Sequence, residues 1–551
     1  MLARRRPHEA TWQRVGDYLD PFAAQYLRQT TGSNHERPLP SRSKIINSAA
    51  VGAVATMDAG FMGGHTSKAR PWFRLGVSDP VLGELAEVKA WLDDCTQAIR
   101  DTLARSNFYT ALPVFYHDRH LFGVAALSCE EDPTDVIRFY VRPCGTYAVS
   151  IGARGRADAL WYSYEASASD LVDRFGDSTG LPADVRARAS GGSADKMHVV
   201  NVLVEANPKA KRGAVNSKER PFRVVQWLEG TAEAGHGCLY EEGVYEFPTF
   251  VGRWNATGNL PYCPSPAINA LGDIAQLQYL ESEKLRLIDL ISKPPLAAPE
   301  HLRNKGASLT PGSMVYVTPL QTQQQVTPIY TPSHGALQQV MAEIATVENR
   351  VKAAFFADLF RMLDYLDDRQ RTAYEISERK EEKIAMLGPQ LESLTDEVLD
   401  PVIERVYAIL DRLGRLPMPP DALNNIEVKV EYTSMLAQSQ KAAGTGTIER
   451  VLGIAANMAV AAQDPTAWDK IDMDQVLDEV HAQQGAPARI LRSDADVAQM
   501  RSARQQQQQM QQMAAMAPAL KQGAEALKVA GQAKAEQGSM LDSLAGVSAG
   551  A

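Results

Sequence analysis

Two histidines three positions apart, His117 and His120 in the run HDRH, are the first residues in this chain that could hold a metal ion or move a proton. They lie in VFYHDRHLFGVAALSCEED, a run rich in β-branched and aromatic residues that reads as strand. A spacing of three on a strand sends side chains to opposite faces, which disfavours joint ligation, so a surface turn is the plainer reading. GGHTSK (Gly63–Lys68) has the glycines of a phosphate loop but lacks Gly-Lys-[Ser/Thr] in the right register. Carboxylates pair at Asp93-Asp94, Glu130-Glu131-Asp132 and Asp367-Asp368. A two-metal nuclease needs several such groups converging, and these read more simply as helix faces and turns. The five cysteines (Cys95, Cys129, Cys144, Cys238 and Cys263) are scattered, with no C-x-x-C and no histidine at metal spacing. They read as buried thiols in a reducing compartment. No G-x-S-x-G or H-E-x-x-H is present. No catalytic residue, metal or cofactor is expected, and so much chain without a motif favours a structural or assembly role over an enzyme.

At 551 residues, with 45% apolar and 22% charged positions, the chain can build several domains around sizeable cores. Its net charge of −9 argues against tight nucleic-acid binding, though not against contact, because non-specific affinity comes from neutralising phosphates. No apolar run approaches the roughly 18–20 residues that cross a bilayer. The start, MLARRRPHEATW, has no apolar core of a secretory signal. A cytoplasmic site of synthesis is expected.

Period and punctuation then place the elements. Trp12, Val15, Leu19, Phe22 and Tyr26 recur at helical spacing in residues 1–30. Further helices are expected at Ser43–Met62 and Pro80–Ser106, with an extended piece at Ala69–Val77. From about Thr110 the pattern turns to short strands, with a hairpin turn around Gly155 and a short helix at Ser169–Phe175. The expected fold class is therefore α+β, with helices first and a meandering antiparallel sheet after. Two long helices follow, Ser265–Lys293 and His334–Phe360, separated by a proline-rich excursion that begins at Pro294-Pro295. A helical stretch, Thr372–Leu413, is broken or kinked at Gly388-Pro389 and Asp400-Pro401. IEVKVEYTS adds one strand. Met513, Ala517, Leu520, Ala524 and Leu527 in the Gln/Met-rich tail keep a coiled-coil spacing, with a frayed tail as the alternative.

Each long helix carries one apolar stripe. In the first it is Ile268, Leu271, Ile274, Leu277, Leu280, Leu287 and Ile291; in the second, Leu337, Val340, Ile344, Val347, Val351, Phe355 and Leu359. An out-and-back pair roughly 40 Å long would protrude from a lone chain, and closing into a ring would support it. Twelve helices packed about 9 Å apart would leave an opening near 24 Å, enough for duplex DNA, although the ring number is assumed.

The order of these pieces resembles the head-to-tail connecting (portal) proteins of short-tailed bacteriophages over about residues 10–500. The likeness rests on the early helix with Trp12, on PWFRL (Pro71–Leu75) and on the helix ending ISKPPL. It rests also on TAYEISERKEEKIAMLGPQLESL, on LDRLGRLPMPP and on VKVEYTSMLAQSQK. The Gln/Met-rich tail departs from the family pattern. The resemblance implies a wing at 1–263 and 373–432, a stem at 264–293 and 334–360, a clip at 294–333, a tunnel loop at 361–372 and a helical crown at 433–551. It implies a homo-oligomeric ring, a dodecamer as a rule, at the capsid portal vertex of the virion. Double-stranded DNA would pass through without specific contacts. The terminase large subunit, the major capsid and scaffolding proteins and a tail adaptor would be its partners. Arg361, Arg369 and Arg371 become candidates for facing DNA, and His301, Arg303, Lys305 and Tyr316 for meeting the adaptor. Rival readings are a virion scaffold or adaptor without a channel, or a packaging nuclease or ATPase.

Overall fold

A computed structural model describes residues 1–28, 40–294 apart from short stretches at 84, 177–179, 192–196, 212, 214–215 and 231–237, then 296–297, 327–328, 333–364, 386–423 and 428–433. Beyond these it describes scattered residues and a helical stretch at 497–508. The tail seam and most of 433–551 lie outside the described residues.

The base of the molecule is α+β. Helix α1 (Leu2–Tyr18) lays Trp12 and Val15 into the core, and α2 (Ala49–Gly64) buries Ala53, Met57 and Phe61. Strand β1 (Phe73–Val77) follows, then α3 (Pro80–Gly83), α4 (Ala86–Arg105) and α5 (Phe108–Phe122). The expected helix over Pro80–Ser106 is thus divided before Ala86. Residues 114–122, read above as strand, are the second half of α5, and that expectation is overturned. The physical reason is burial on nearly every side: Phe108, Leu112, Phe115, Tyr116, Leu121 and Phe122 are all inaccessible, so no polar face marks the helical period. Gly123, at φ +78°, ends the helix in a left-handed cap.

Strands β2 (Val124–Asp132), β3 (Val136–Arg142) and β9 (Thr249–Arg253) form an antiparallel sheet in the order β3-β2-β9 against α5. A five-stranded meander runs β4 (Tyr147–Ile151), β5 (Ala157–Ser167), β6 (Met197–Ala206), β7 (Phe222–Leu228), β8 (Tyr240–Val244) in sequence order. The β4–β5 turn has Gly155 at φ +78°, where the hairpin was expected. Helix α6 (Ala168–Phe175) begins in a capping box between Ser167 and Asp170, and α7 (Ala183–Ala189) precedes β6. Four of the five cysteines are buried and Cys238 is exposed; all are free thiols.

The long helices leave this base in two pieces each. Helix α8 (Pro266–Asn269) is capped by Ser265, whose Oγ accepts from the Ile268 amide at 2.9 Å and donates to the Leu121 carbonyl at 2.7 Å. After a break at Ala270, α9 (Leu271–Ser292) runs out. A two-residue ladder, Leu296–Ala297 (β10) with Thr327–Pro328 (β11), closes the neck of the excursion. Helix α10 (His334–Ala354) returns and breaks at Phe355-Phe356, and α11 (Ala357–Asp364) continues past it. The break replaces the continuous helix expected to Phe360.

Finally α12 (Gly388–Leu394), a π turn at Thr395–Leu399 and α13 (Asp400–Arg412) form one path without a sharp break. Gly388-Pro389 starts α12 rather than interrupting it. Pro401 has no amide hydrogen for the preceding turn, and the wider π turn sits directly before α13. Strand β12 (Val428–Tyr432) returns to pair antiparallel with β1, Phe73 opposite Tyr432.

Candidate functional site: a helix pair rooted in a polar base

Every residue of both expected apolar stripes is buried or half-buried, so the stripes form the seam between α9 and α10 with their flanking turns. Ile274 and Leu277 face Val347, Val351 and Phe355 at the root, where burial is complete. Away from that seam, large apolar side chains remain in solvent: Tyr279 is 64% exposed, Met341 55%, Leu285 51% and Ile288 43%.

The root is stitched by polar groups. Gln278 Oε1 accepts from the amides of Ile46 (2.7 Å) and Asn47 (2.8 Å), and its Nε2 donates to the Asn47 carbonyl. Asn47 Nδ2 in turn donates to Glu281 and Glu348, both at 2.9 Å, so one side chain touches both helices. Arg350 on α10 reaches Asp273 (3.5 Å) and Gln276 (3.3 Å) on α9.

At the bend, Phe356 takes φ +52°, a left-handed conformation that costs a non-glycine residue about 1–2 kcal/mol. Buried neighbours hold it there. Phe355 is fully enclosed, and the Phe360 ring lies 5.8 Å from Phe61 over Gly60, where a β-carbon would meet Phe360 at about 2.0 Å. Arg361, the next residue, is exposed on α11. Arg369, Arg371, His301, Arg303, Lys305 and Tyr316 lie outside the described residues.

Beneath the bend the histidines meet one acid. Because α5 is a helix, residues 117 and 120 share a face. His117 Nδ1 meets Asp58 Oδ2 at 2.7 Å and its Nε2 meets Asp20 Oδ2 at 3.2 Å; His120 Nδ1 meets Asp58 Oδ1 at 2.6 Å. A histidine with a carboxylate at each nitrogen donates twice and is the imidazolium. Burial opposes that charge, but the bonds to Asp20 and Asp58 win and push His117 up to about 10. Burial lowers His120 despite Asp58, and its Nε2, beside Phe61 and Trp254, has no hydrogen-bond partner among the described residues. Among the described residues no set of histidine, cysteine and carboxylate stands in metal-holding geometry. The cluster is a clamp joining α2, α5 and the turn after α1.

Because His117 titrates above its ordinary value near 6.5, its contribution is complete below that pH and is lost as pH rises through about 10. Between pH 7 and 10.5 the wild-type thermal midpoint should fall by roughly 2–4 °C more than that of His117→Gln. Equal slopes would remove His117 from the clamp.

A second polar knot joins β9 to the π turn. Arg253, 2% exposed, donates its amide (2.8 Å) and Nε (2.8 Å) to Glu397, which is 9% exposed. Its remaining donors reach the carbonyls of Gly155, Gly258 and Leu260. Arg119 donates to the Arg253 and Gln390 carbonyls. Sequence reasoning missed this knot, since the partners lie 144 residues apart. It could have found the histidine pair by asking what HDRH does on a helix.

Among the described residues, then, a helix pair leaves an α+β base with no metal-holding set at its root. The family model for the bacteriophage head to tail connecting protein matches residues 1–491. The chain belongs to that family. It is 32% identical over 524 residues to the portal protein of Salmonella phage epsilon15, covering 95% of this chain and 92% of that one. It is 33% identical over 536 residues to the probable portal protein of Bordetella phage BPP-1, covering 96% and 94%. Head-to-tail connecting proteins are structural parts of the phage particle that associate with head and tail components. Among the described residues no helix is long and apolar enough to cross a membrane.

Proposed function

We propose that this chain is a portal protein. Copies close into a ring of about twelve at one capsid vertex, and α9 and α10 form the wall of a channel through which double-stranded DNA is packaged and ejected. The observation that carries this reading is the set of large apolar side chains left in solvent on a helix pair whose own seam is already filled. Neighbouring copies supply what covers them. Tyr279, Leu285, Ile288 and Met341 then lie between subunits, leaving the charged positions of both helices for the lumen. Net charge of −9 suits a conduit that must let DNA slide.

In this reading residues 294–333 meet a tail adaptor through His301, Arg303, Lys305 and Tyr316, while the terminase large subunit docks during packaging. The base contacts capsid and scaffolding proteins. Arg361, exposed at the end of the bend, begins a segment whose Arg369 and Arg371 approach the DNA. Charge reversal at all three should lower packaged DNA per particle at least tenfold; unchanged packaging and infectivity would remove them from the channel.

The direct test is the mass of purified protein by light scattering, with negative-stain projections. A ring of about a dozen copies with a hole near duplex width supports the channel. A monomer or dimer that persists at high concentration with capsid partners present overturns it in favour of a scaffold without a channel.

A further inference from the structure

A cleft of about 530 Å³ opens where the turn after α1, helices α2 and α5, and the end of β3 meet. Its walls are mainly apolar, with Phe22, Pro113, Val114 and Val141 beside the Tyr26 ring and the one amide of Gln25. Phe22 and Val114 stand at the mouth, each about half exposed. The floor is acidic. Asp20 and Asp58 line it, already engaged with the His117 imidazolium, and so does Asp118.

Asp118 is the unmatched member. It is 5% exposed, and no hydrogen bond from a described residue reaches its carboxyl. A buried carboxylate is normally paired or hydrogen-bonded, because an isolated one loses its hydration without replacement. Summed over the floor, two carboxylates and one imidazolium leave one negative charge before Asp118 is counted. Behind Asp118 lie the Cys144 thiol and the Tyr147 phenol, on the β3–β4 connection and β4, and burial holds both far above neutrality and uncharged; Arg5 and Glu9, which also act on that thiol, are paired with each other at 2.8 Å. The His117 imidazolium attracts Asp118, but it is already hydrogen-bonded to Asp20 and Asp58 and offsets only part of the charge on the floor. Arg42 lies 5.7 Å from the Phe22 ring at the rim.

A hydrocarbon wall above an unpaired carboxyl is the complement of an aliphatic cation: the stem packs on the wall and the head meets the acid. We propose that this cleft binds the ammonium or guanidinium head of an aliphatic cation, with Asp118 as its counter-charge. The cation is a free alkylamine or the lysine or arginine side chain of a partner chain. The inference stands apart from the channel reading and survives its failure.

Burial pushes the Asp118 carboxyl up to about 7, with Asp20 and Asp58 adding to the rise against His117. The ionised, cation-binding form therefore dominates above pH 7, and binding at neutral pH expels a proton. The fraction ionised changes about tenfold between pH 6 and pH 8, so affinity should rise by about tenfold over that range.

The experiment is calorimetric titration of the full-length protein with n-pentylamine and with a blocked Gly-Ser-Arg-Ser-Gly peptide, each in two buffers of different ionisation enthalpy. Pentanol and pentanoate are controls. The expected result is saturable amine binding with proton release at pH 7, about fivefold weaker at pH 6, and none for the controls. Asp118→Asn should weaken it at least tenfold. Val114→Trp fills the mouth while sparing the acid, and should abolish binding even if the Asn variant fails to fold. Pentylamine without the peptide assigns the site to free amines; both together assign it to a partner's side chain. Equal binding of pentanol and pentylamine, no proton release, or unchanged binding in Val114→Trp overturns the proposal.

Discussion

Glu397→Ala should destabilise the base by about 3–5 kcal/mol in urea unfolding, the largest loss expected from any single side chain here. The reason is asymmetric. Arg253 would keep its place beneath β9 and its bonds to the Gly155, Gly258 and Leu260 carbonyls, but its charge would stay buried without a counter-ion. Removing both charges is a different experiment. In Arg253→Met/Glu397→Leu the two side chains can pack, and replacing a buried pair by apolar residues is often close to neutral. The double variant should therefore recover most of the loss, held back by the three carbonyls that lose their donor. A loss under about 1 kcal/mol for Glu397→Ala would mean that water reaches Arg253 and that the π turn does not depend on the pair.

The second large effect separates assembly from folding. Leu285→Glu/Ile288→Glu/Met341→Glu changes three side chains that are 43–55% exposed in the single chain. Surface changes of this kind alter stability by no more than about 0.5 kcal/mol each, so the thermal midpoint should barely move. If copies cover these residues, each substitution forfeits about 1 kcal/mol or more of apolar burial per interface and adds a desolvated carboxylate. Around a closed ring the loss repeats at every contact. Sedimentation should show folded monomer where the wild type gives rings. Rings formed by the triple variant as readily as by wild type would mean that these faces do not meet between copies.

How much of this was legible beforehand varies by residue, and the reason is range. The seam of the helix pair was readable because Ile274, Leu277, Ile344, Val347 and Val351 announce themselves by spacing within a few turns. Gly155 marked its hairpin for a similar reason, since a left-handed turn position selects glycine locally. The family likeness was also written in the order of local segments, and the match over residues 1–491 bears it out. Helix α5 was misread because periodicity reports a boundary between water and core, and a helix buried on nearly every side has no such boundary. That error alone hid the clamp, since His117 and His120 share Asp58 only when they sit on one helical face.

Other features depend on contacts that no local pattern encodes. Phe356 is left-handed because Phe355 and Phe360 are both drawn into the base, Phe360 over a glycine some 300 residues earlier. Arg253 finds Glu397 across 144 residues, Asn47 reaches Glu281 and Glu348 across 234 and 301, and β1 finds β12 across a longer stretch still. The sequence by itself determined the element types wherever one side met water, the two apolar stripes and the family. Tertiary structure alone decided where the long helices bend, which charges are buried together and which carboxyl no hydrogen bond from a described residue reaches. Each of those is settled by desolvation, a property of the surroundings a side chain acquires only when distant segments pack.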